Sequence, residues 1–169
     1  MTLEEAIQGA LEYERRVTDL YRRASRDPAL APGREFFGMM ADEEEGHVAW
    51  LEQSLAEWKR DGRVKPRRLD SSVPGAERLA ARAESLDLAS PPLEGSRSPE
   101  SQELAYLEEA LVAETETSIF YERVVGELPE DQAALFQPFL EIEHGHRAFV
   151  EFQMDMVARL GEWWTTDEA

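Results

Sequence analysis

The spacing of apolar residues is the strongest constraint on the fold of this chain. In four long segments apolar residues recur every three or four positions, which places them on one face of a helix. The first pair of segments covers residues of about 3–60 and the second pair about 99–160. Because no segment has the alternating pattern of a strand, the sequence predicts an all-α chain built on four helices.

Local signals mark the ends of these helices. Thr2 and Glu5 have the spacing of a capping box at the start of the first helix, and the stretch RDPALAPG is expected to end it. Gly62 is a natural stop for the second helix. Ser98 and Pro99 have the pattern of an N-cap followed by a first-turn proline, so we expect the third helix to begin there.

The connection between the two pairs of helices is long. Residues 63–98 are rich in Pro, Ser and Arg, with one short helix expected in AERLAARAES. A helix of roughly 25 residues is about 37 Å long, and this connection could run its full length. The short turns elsewhere favour two antiparallel hairpins in one domain, 1–169, joined by a crossover. Pro138 is expected to kink the fourth helix or delay its regular part.

The two halves of the chain repeat a set of polar residues. In each half a glutamate precedes a tyrosine by seven positions, Glu14 with Tyr21 and Glu114 with Tyr121. The next helix of each half carries Glu-x-Gly-His, as EEGH at 44–47 and as EHGH at 143–146. Surface charge alone would not keep these residues in register, so the repeat indicates a shared structural role.

The repeated residues lie on the apolar faces of their helices. Each glutamate lies on a helix face with apolar residues three or four positions away, and each histidine follows its glutamate by three positions on the same face. Four unpaired carboxylates in an apolar core would be very costly, and Lys and Arg are scarce on these faces. Two divalent metal ions would balance the four charges. The sequence therefore predicts a di-metal site with the ligands Glu14, Glu44, His47, Glu114, Glu143 and His146.

The candidate ligand atoms limit the identity of the metal ion. Some of the residues also have other interpretations. Carboxylate and imidazole without sulfur suit iron or manganese, and a mixed pair is possible; zinc is less well supported. His47 and His146 could instead be hydrogen-bonded core histidines. His144 forms an overlapping pair with Glu141 on a more polar face, so we interpret it as exposed or as supporting a ligand. Tyr21 and Tyr121 are interpreted as core residues whose hydroxyls bind ligand carboxylates.

Other conspicuous residues receive ordinary interpretations. Glu43 and Glu45 flank a proposed ligand, and a solvated face is favoured for them over an iron-entry path. Trp50, Trp163 and Trp164 are interpreted as helix packing, with an oligomer contact as the alternative.

With these motifs, the sequence resembles the rubrerythrin-type ferritin-like proteins over about residues 3–58 and 101–158. The resemblance implies a ferritin-like four-helix bundle, the six ligands above and two iron ions, with Glu44 and either Glu114 or Glu143 as bridging ligands. Two departures matter. The rubredoxin-like domain of many members is absent, so any electron donor would be a separate molecule. Thr117 stands where some members carry a further glutamate, which puts redox-dependent ligand exchange in doubt.

The proposed site predicts an oxidoreductase. Reduced iron would react with hydrogen peroxide or O2, as a peroxidase or a ferroxidase, and the sequence does not separate these substrates. One alternative is a non-catalytic iron-binding or iron-storage protein; another is a metal-free interaction bundle. The resemblance and the chain's aromatic residues lead us to expect a homodimer.

Composition limits the remaining partners. The chain has 36 acidic and 18 basic residues and a formal charge of -18, which disfavours nucleic acid and anionic membranes. The one basic run, KPRR at 65–68, is interpreted as a solvated linker. No cysteine is present, so disulfides, iron–sulfur clusters and thiol catalysis are excluded. No apolar run approaches the length of a membrane span, and a cytoplasmic location is expected.

Overall fold

The computed structural model describes residues 1–65, 67–87 and 101–164, and these residues are helical or irregular with no strand. The prediction of an all-α chain is therefore confirmed. The elements are, in chain order, α1 (Leu3–Arg26), a 3-10 helix (Pro28–Gly33), α2 (Arg34–Asp61), α3 (Ala76–Ser85), α4 (Gln102–Glu127), α5 (Glu130–Ala133) and α6 (Gln137–Leu160).

Most helix ends lie where local signals predict them. The Thr2 hydroxyl accepts a hydrogen bond from the Glu5 backbone while the Glu5 side chain accepts one from Thr2, which completes the capping box. Gly62 ends α2 with a φ of 66°, a left-handed conformation that favours glycine. The predicted cap at Ser98 and Pro99 lies outside the described residues, and α4 begins later than expected, with Ser101 as its N-cap.

The segment after α4 shows why the fourth helix starts late. Pro129 precedes the four-residue helix α5, and Pro138 then occupies the first turn of α6. A proline is tolerated in a first turn because the N–H it lacks would have no partner inside the helix. Pro138 therefore delays the regular helix, which is one of the two outcomes expected from the sequence.

Ion pairs reveal the directions of the helices. In each set of pairs, the residue number increases along α1 while that of its partner decreases. The pairs are Arg15–Glu52 and Arg22–Glu45 between α1 and α2, and Arg16–Glu116 and Arg23–Glu109 between α1 and α4. Helix α1 is thus antiparallel to both α2 and α4, so α2 and α4 run parallel. The connection that leaves α2 at Gly62 and enters α4 at Ser101 therefore begins and ends at opposite ends of the helices, as a crossover requires.

Two apolar clusters fill the interior, one toward each end of the long helices. One cluster includes Val17, Tyr21, Phe37, Leu107 and Phe149, and the other includes Ile7, Leu51, Tyr121, Phe136 and Phe139. On every long helix a buried glutamate lies between the two clusters, and on α2 and α6 a buried histidine accompanies it. On α1, for example, Glu14 lies between Leu11 of one cluster and Val17 of the other. The core therefore contains a polar layer between two apolar ends.

The residues after α6 pack back on the apolar cluster that contains Phe37. The Trp163 ring lies so close to Gly33 that a Cβ there would be 2.5 Å from the indole, so this position requires glycine. Trp164 is buried, and its backbone N–H and carbonyl both bond to the Gln153 side chain. Trp50 is buried in the other apolar cluster. Trp50, Trp163 and Trp164 therefore contribute to packing within the chain.

The connection after α2 is anchored where it leaves the helix. The Arg67 guanidinium donates to Glu57 at 2.5 Å, to the Ser54 hydroxyl at 3.1 Å and to the Trp50 carbonyl. The predicted short helix is present as α3, and its Leu79 is buried in the cluster that contains Phe149. None of the helices in the described part of the chain is long and apolar enough to cross a membrane.

Candidate metal centre

The polar layer contains all six residues that the sequence indicates as metal ligands. Each of the four long helices contributes, with one glutamate from α1, one from α4, and a glutamate–histidine pair from each of α2 and α6. Every one of these side chains is at most 1% exposed: Glu14, Glu44, His47, Glu114, Glu143 and His146. Three-residue spacing puts both members of each pair on the inward face of one helix turn.

The six residues form two overlapping groups, each able to hold one metal ion. In the first group, oxygen or nitrogen atoms of Glu14, Glu44, His47 and Glu143 all lie within 4.8 Å of one another. In the second group the same is true of Glu44, Glu114, Glu143 and His146. Glu44 and Glu143 belong to both groups, whereas Glu14 and Glu114 belong to one each. Of the glutamates that the sequence left open as bridging candidates, the geometry thus favours Glu44 and Glu143.

Both histidines direct Nδ1 toward the carboxylates. Nδ1 of His47 is 3.2 Å from Glu14 and 3.1 Å from Glu44, and Nδ1 of His146 is 2.8 Å from Glu44. The two imidazole rings stack with their centroids 5.4 Å apart and only 8° between their planes. Nδ1 is therefore the atom that each ring presents to the centre of the site.

Each buried tyrosine binds a glutamate of the other hairpin. The Tyr21 hydroxyl donates to Glu114 at 2.5 Å, and the Tyr121 hydroxyl donates to Glu14. These bonds link α1 with α4 in both directions and satisfy one oxygen of each glutamate. The other oxygen of each carboxylate remains directed toward a histidine, with Glu14 Oε2 at 3.2 Å from His47 and Glu114 Oε2 at 3.9 Å from His146.

Burial and charge shift the pKa values of the whole layer. Burial raises the pKa of Glu14 and of Glu114 to about 7, and burial with the neighbouring carboxylates raises that of Glu143 well above its ordinary value. Burial also disfavours ionised Glu44, but His146 and His47 on either side hold its pKa well below the ordinary range. Burial lowers the pKa of His47, but Glu14 and Glu44 outweigh it and raise this pKa to about 10.

These shifts show how the layer reaches charge balance. Without a cation it does so by holding protons on several carboxylates and on the imidazoles. A metal ion would displace those protons and take over the balance.

Hydrogen bonds inside the protein leave much of this layer unsatisfied. Among the described residues, the buried polar side-chain atoms that lack a hydrogen-bond partner include both oxygens of Glu44 and of Glu143, Oε2 of Glu114, Nε2 of His47 and both ring nitrogens of His146. Buried polar atoms are nearly always paired, so such a concentration at one place indicates a site that could hold a metal ion. Oxygen and imidazole donors without sulfur fit a hard or borderline cation such as Fe(II) or Mn(II).

Some residues close in sequence to the candidate ligands lie at the surface, and others are buried. The His144 side chain is 49% exposed and faces Glu122, so it lies outside the polar layer, as its polar face predicts. Glu45 forms a surface ion pair with Arg22. Thr117 is buried and donates to the Ala113 carbonyl, so its hydroxyl is used within α4.

Glu43 differs from the solvated residue that the sequence favoured. Its side chain is only 10% exposed, and Ser72 donates to Oε1 from both its backbone N–H and its hydroxyl. Partial burial raises the pKa of Glu43, but His146 and Ser72 lower it to about 2. Ser72 could not be found from the sequence, because it lies 29 positions away in an irregular segment with no pattern to place it.

Comparison with protein-family models, with curated proteins and with solved structures finds no match to this chain. The case for a metal centre therefore rests on the geometry of the polar layer and on its unsatisfied atoms.

Proposed function

We propose that this protein is a di-metal carboxylate protein of the ferritin-like, rubrerythrin type. The observation that carries the proposal is the pair of four-residue groups that share Glu44 and Glu143 in the middle of the core. A glutamate from each of two helices with Glu-x-x-His from each of the other two is the ligand set of di-iron and di-manganese helix bundles. The crossover between α2 and α4 agrees with that fold.

Charge supports two divalent ions. Four carboxylates in a layer that excludes water need compensation, and two divalent cations supply an equal and opposite charge. Glu44 and Glu143 would bridge the ions, Glu14 and His47 would complete one position, and Glu114 and His146 would complete the other. Iron is the metal we propose, with manganese or a mixed pair as the alternative.

The reaction we propose is the reduction of a small oxidant. Two bound ferrous ions would supply two electrons, and with two protons these convert hydrogen peroxide to two waters or O2 to hydrogen peroxide. The chain's share is to keep bulk water from the site, because the candidate ligands are at most 1% exposed. Tyr21 and Tyr121 hold Glu114 and Glu14 so that one oxygen of each faces the centre.

The electron donor we propose is a separate reductant, since these 169 residues contain no cysteine that could hold an iron–sulfur cluster. A homodimer in the cytoplasm remains part of the proposal. The large apolar side chains that are exposed among the described residues are Met1, Val112 and Ile119.

Metal content tests the proposal directly. The protein is loaded anaerobically with Fe(II), freed of excess metal and analysed for iron per chain, together with E114A and the matched control H144A. We expect about two irons per chain in the wild type and in H144A, and about one in E114A. Wild-type protein that holds no metal and gains no thermal stability from Fe(II) or Mn(II) would support the metal-free bundle instead.

Turnover then separates the enzyme from its alternative. The reduced, iron-loaded protein is mixed with hydrogen peroxide, or with O2, in a stopped-flow instrument, and oxidation of the iron is followed by its absorbance. Rapid oxidation and re-reduction by an added reductant, over many cycles, would support the oxidoreductase. Two bound irons that do not cycle would favour the non-catalytic iron-binding protein.

A further inference from the structure

Ser72 of the connection between α2 and α4 reaches the edge of the candidate metal centre. Ser72 donates its backbone N–H to Oε1 of Glu43 at 2.8 Å and its hydroxyl to the same oxygen at 2.5 Å. The other oxygen of Glu43 lies 3.9 Å from Nε2 of His146. Ser72, Glu43 and His146 therefore form a chain from the connection to a proposed ligand.

The two nitrogens of His146 face different carboxylates. Nδ1 faces the centre, at 2.8 Å from Glu44, whereas Nε2 faces Glu43. A histidine that binds metal through one nitrogen carries a proton on the other, and that N–H almost always has an acceptor that fixes the ring. At 3.9 Å, Glu43 is one small side-chain rotation or one bridging water from accepting it.

A third metal ion at Glu43 is the competing explanation. Glu43, His47 and His146 offer atoms within 4.8 Å of one another and could in principle hold an ion. Both imidazoles, however, already direct Nδ1 to the inner glutamates, and Ser72 engages one oxygen of Glu43 with two donors. The arrangement therefore suits an acceptor better than a ligand.

In the other half of the repeat, the position that matches Glu43 carries no carboxylate. Ile142 stands where the repeat would place a counterpart of Glu43. Nε2 of neither histidine has a hydrogen-bond partner among the described residues, but Nε2 of His146 faces Glu43, whereas the His47 ring meets Phe139 at a centroid distance of 5.4 Å. The two histidines are thus alike toward the glutamates and different on their outer sides.

We propose that Glu43, held by Ser72, is a positioning residue that accepts the Nε2–H of His146 and makes the metal position of His146 the tighter of the two. The inference rests on the proposed function, because it requires metal at both positions. Loss of such an acceptor typically weakens metal binding by about 10–100-fold.

Titration with Co(II) tests the difference in affinity. Binding is followed by absorbance in the wild type, E43A, E43Q, S72A and the matched control E45A, which removes a neighbouring carboxylate of α2 at the surface. We expect two steps in the wild type and in E45A. In E43A the tighter step is weakened by about 10–100-fold while the weaker step is unchanged. E43Q and S72A should lose less, because an acceptor oxygen remains.

The histidine N–H gives a second readout that a structural role alone would not move. The Zn(II)-loaded protein is labelled with 15N, and its three histidines are assigned by NMR with the help of H144A. We expect His146 to carry its proton on Nε2 in slow exchange with water in the wild type and in E45A, and in fast exchange in E43A. The thermal unfolding of each variant without metal is the control for folding.

Each result decides the proposal. A weakened tight step together with fast exchange at His146 supports it. Unchanged Co(II) steps and unchanged exchange in E43A overturn it and leave the proposed function intact. A third equivalent of Co(II) that E43A loses also overturns it, because Glu43 would then be a ligand. Wild-type protein that binds no Co(II) or Zn(II) removes the inference together with the proposed function.

Discussion

The two helical hairpins agree toward the centre of the molecule and differ outside it. Hairpin α1–α2 and hairpin α4–α6 each supply two glutamates and a histidine, and each supplies a tyrosine that binds a glutamate of the other. Beyond this layer the likeness ends. The first hairpin turns through a 3-10 helix and the second through α5, and Glu43 of the first has Ile142 as its counterpart.

This difference shows where the physical constraint is strict. The buried glutamates and histidines must compensate one another's charge, and each unpaired carboxylate in the core costs several kcal/mol. Their positions are therefore tightly constrained. Residues outside the layer face water or apolar neighbours and tolerate many solutions. The comparison predicts that equivalent inner residues behave alike in both hairpins and that outer residues do not.

The largest expected effect is the loss of metal on replacing Glu44 or Glu143, which belong to both proposed metal positions. E44A and E143A should each reduce the metal content from about two ions per chain to below one, since each removes a ligand from both groups. E14A and E114A should each retain about one ion. Elemental analysis after gel filtration measures this, with circular dichroism to verify folding. Retention of two ions by E143A would contradict its shared role.

The tyrosines should give a smaller and equal effect. Y21F and Y121F each leave a buried carboxyl oxygen without its donor, which costs about 1–3 kcal/mol in the free energy of unfolding. Urea unfolding in the presence of a chelator measures this cost. Y13F is the matched control, because Tyr13 is only partly buried and its ring stacks on Phe120. Clearly different losses in the free energy of unfolding for Y21F and Y121F would show that the two tyrosines are not equivalent.

The smallest effect is expected at the helix caps, where the hairpins differ. T2A should cost about 1 kcal/mol of stability, because it removes the capping box of α1. S101A should cost less, since the Ser101 hydroxyl accepts from the Leu104 N–H at 3.3 Å but a leucine side chain cannot return the bond as Glu5 does to Thr2. Thermal unfolding of the metal-free variants compares the two. The reverse order would show that the surroundings of α4 depend on its cap more than its hydrogen bonds suggest.

Local sequence determined the helices and the candidate ligands of this protein. The spacing of apolar residues, the capping box at Thr2 and the stop at Gly62 act within a few residues of the chain, so they can be read without the fold. The same holds for Glu-x-x-His, because three-residue spacing alone puts both side chains on one face. The repeat then indicated that the two halves meet at one site.

Tertiary structure decided everything that depends on which helices are neighbours. Three features join residues that are far apart in the chain. They are the presence of Glu44 and Glu143 in both four-residue groups, the hydrogen bonds of Tyr21 and Tyr121 to the opposite hairpin, and the hydrogen bond from Ser72 to Glu43. No periodic pattern encodes such pairs, because they arise only when four helices and an irregular connection pack around one core. The candidate ligands could therefore be named from the sequence, whereas their division between two overlapping groups could not.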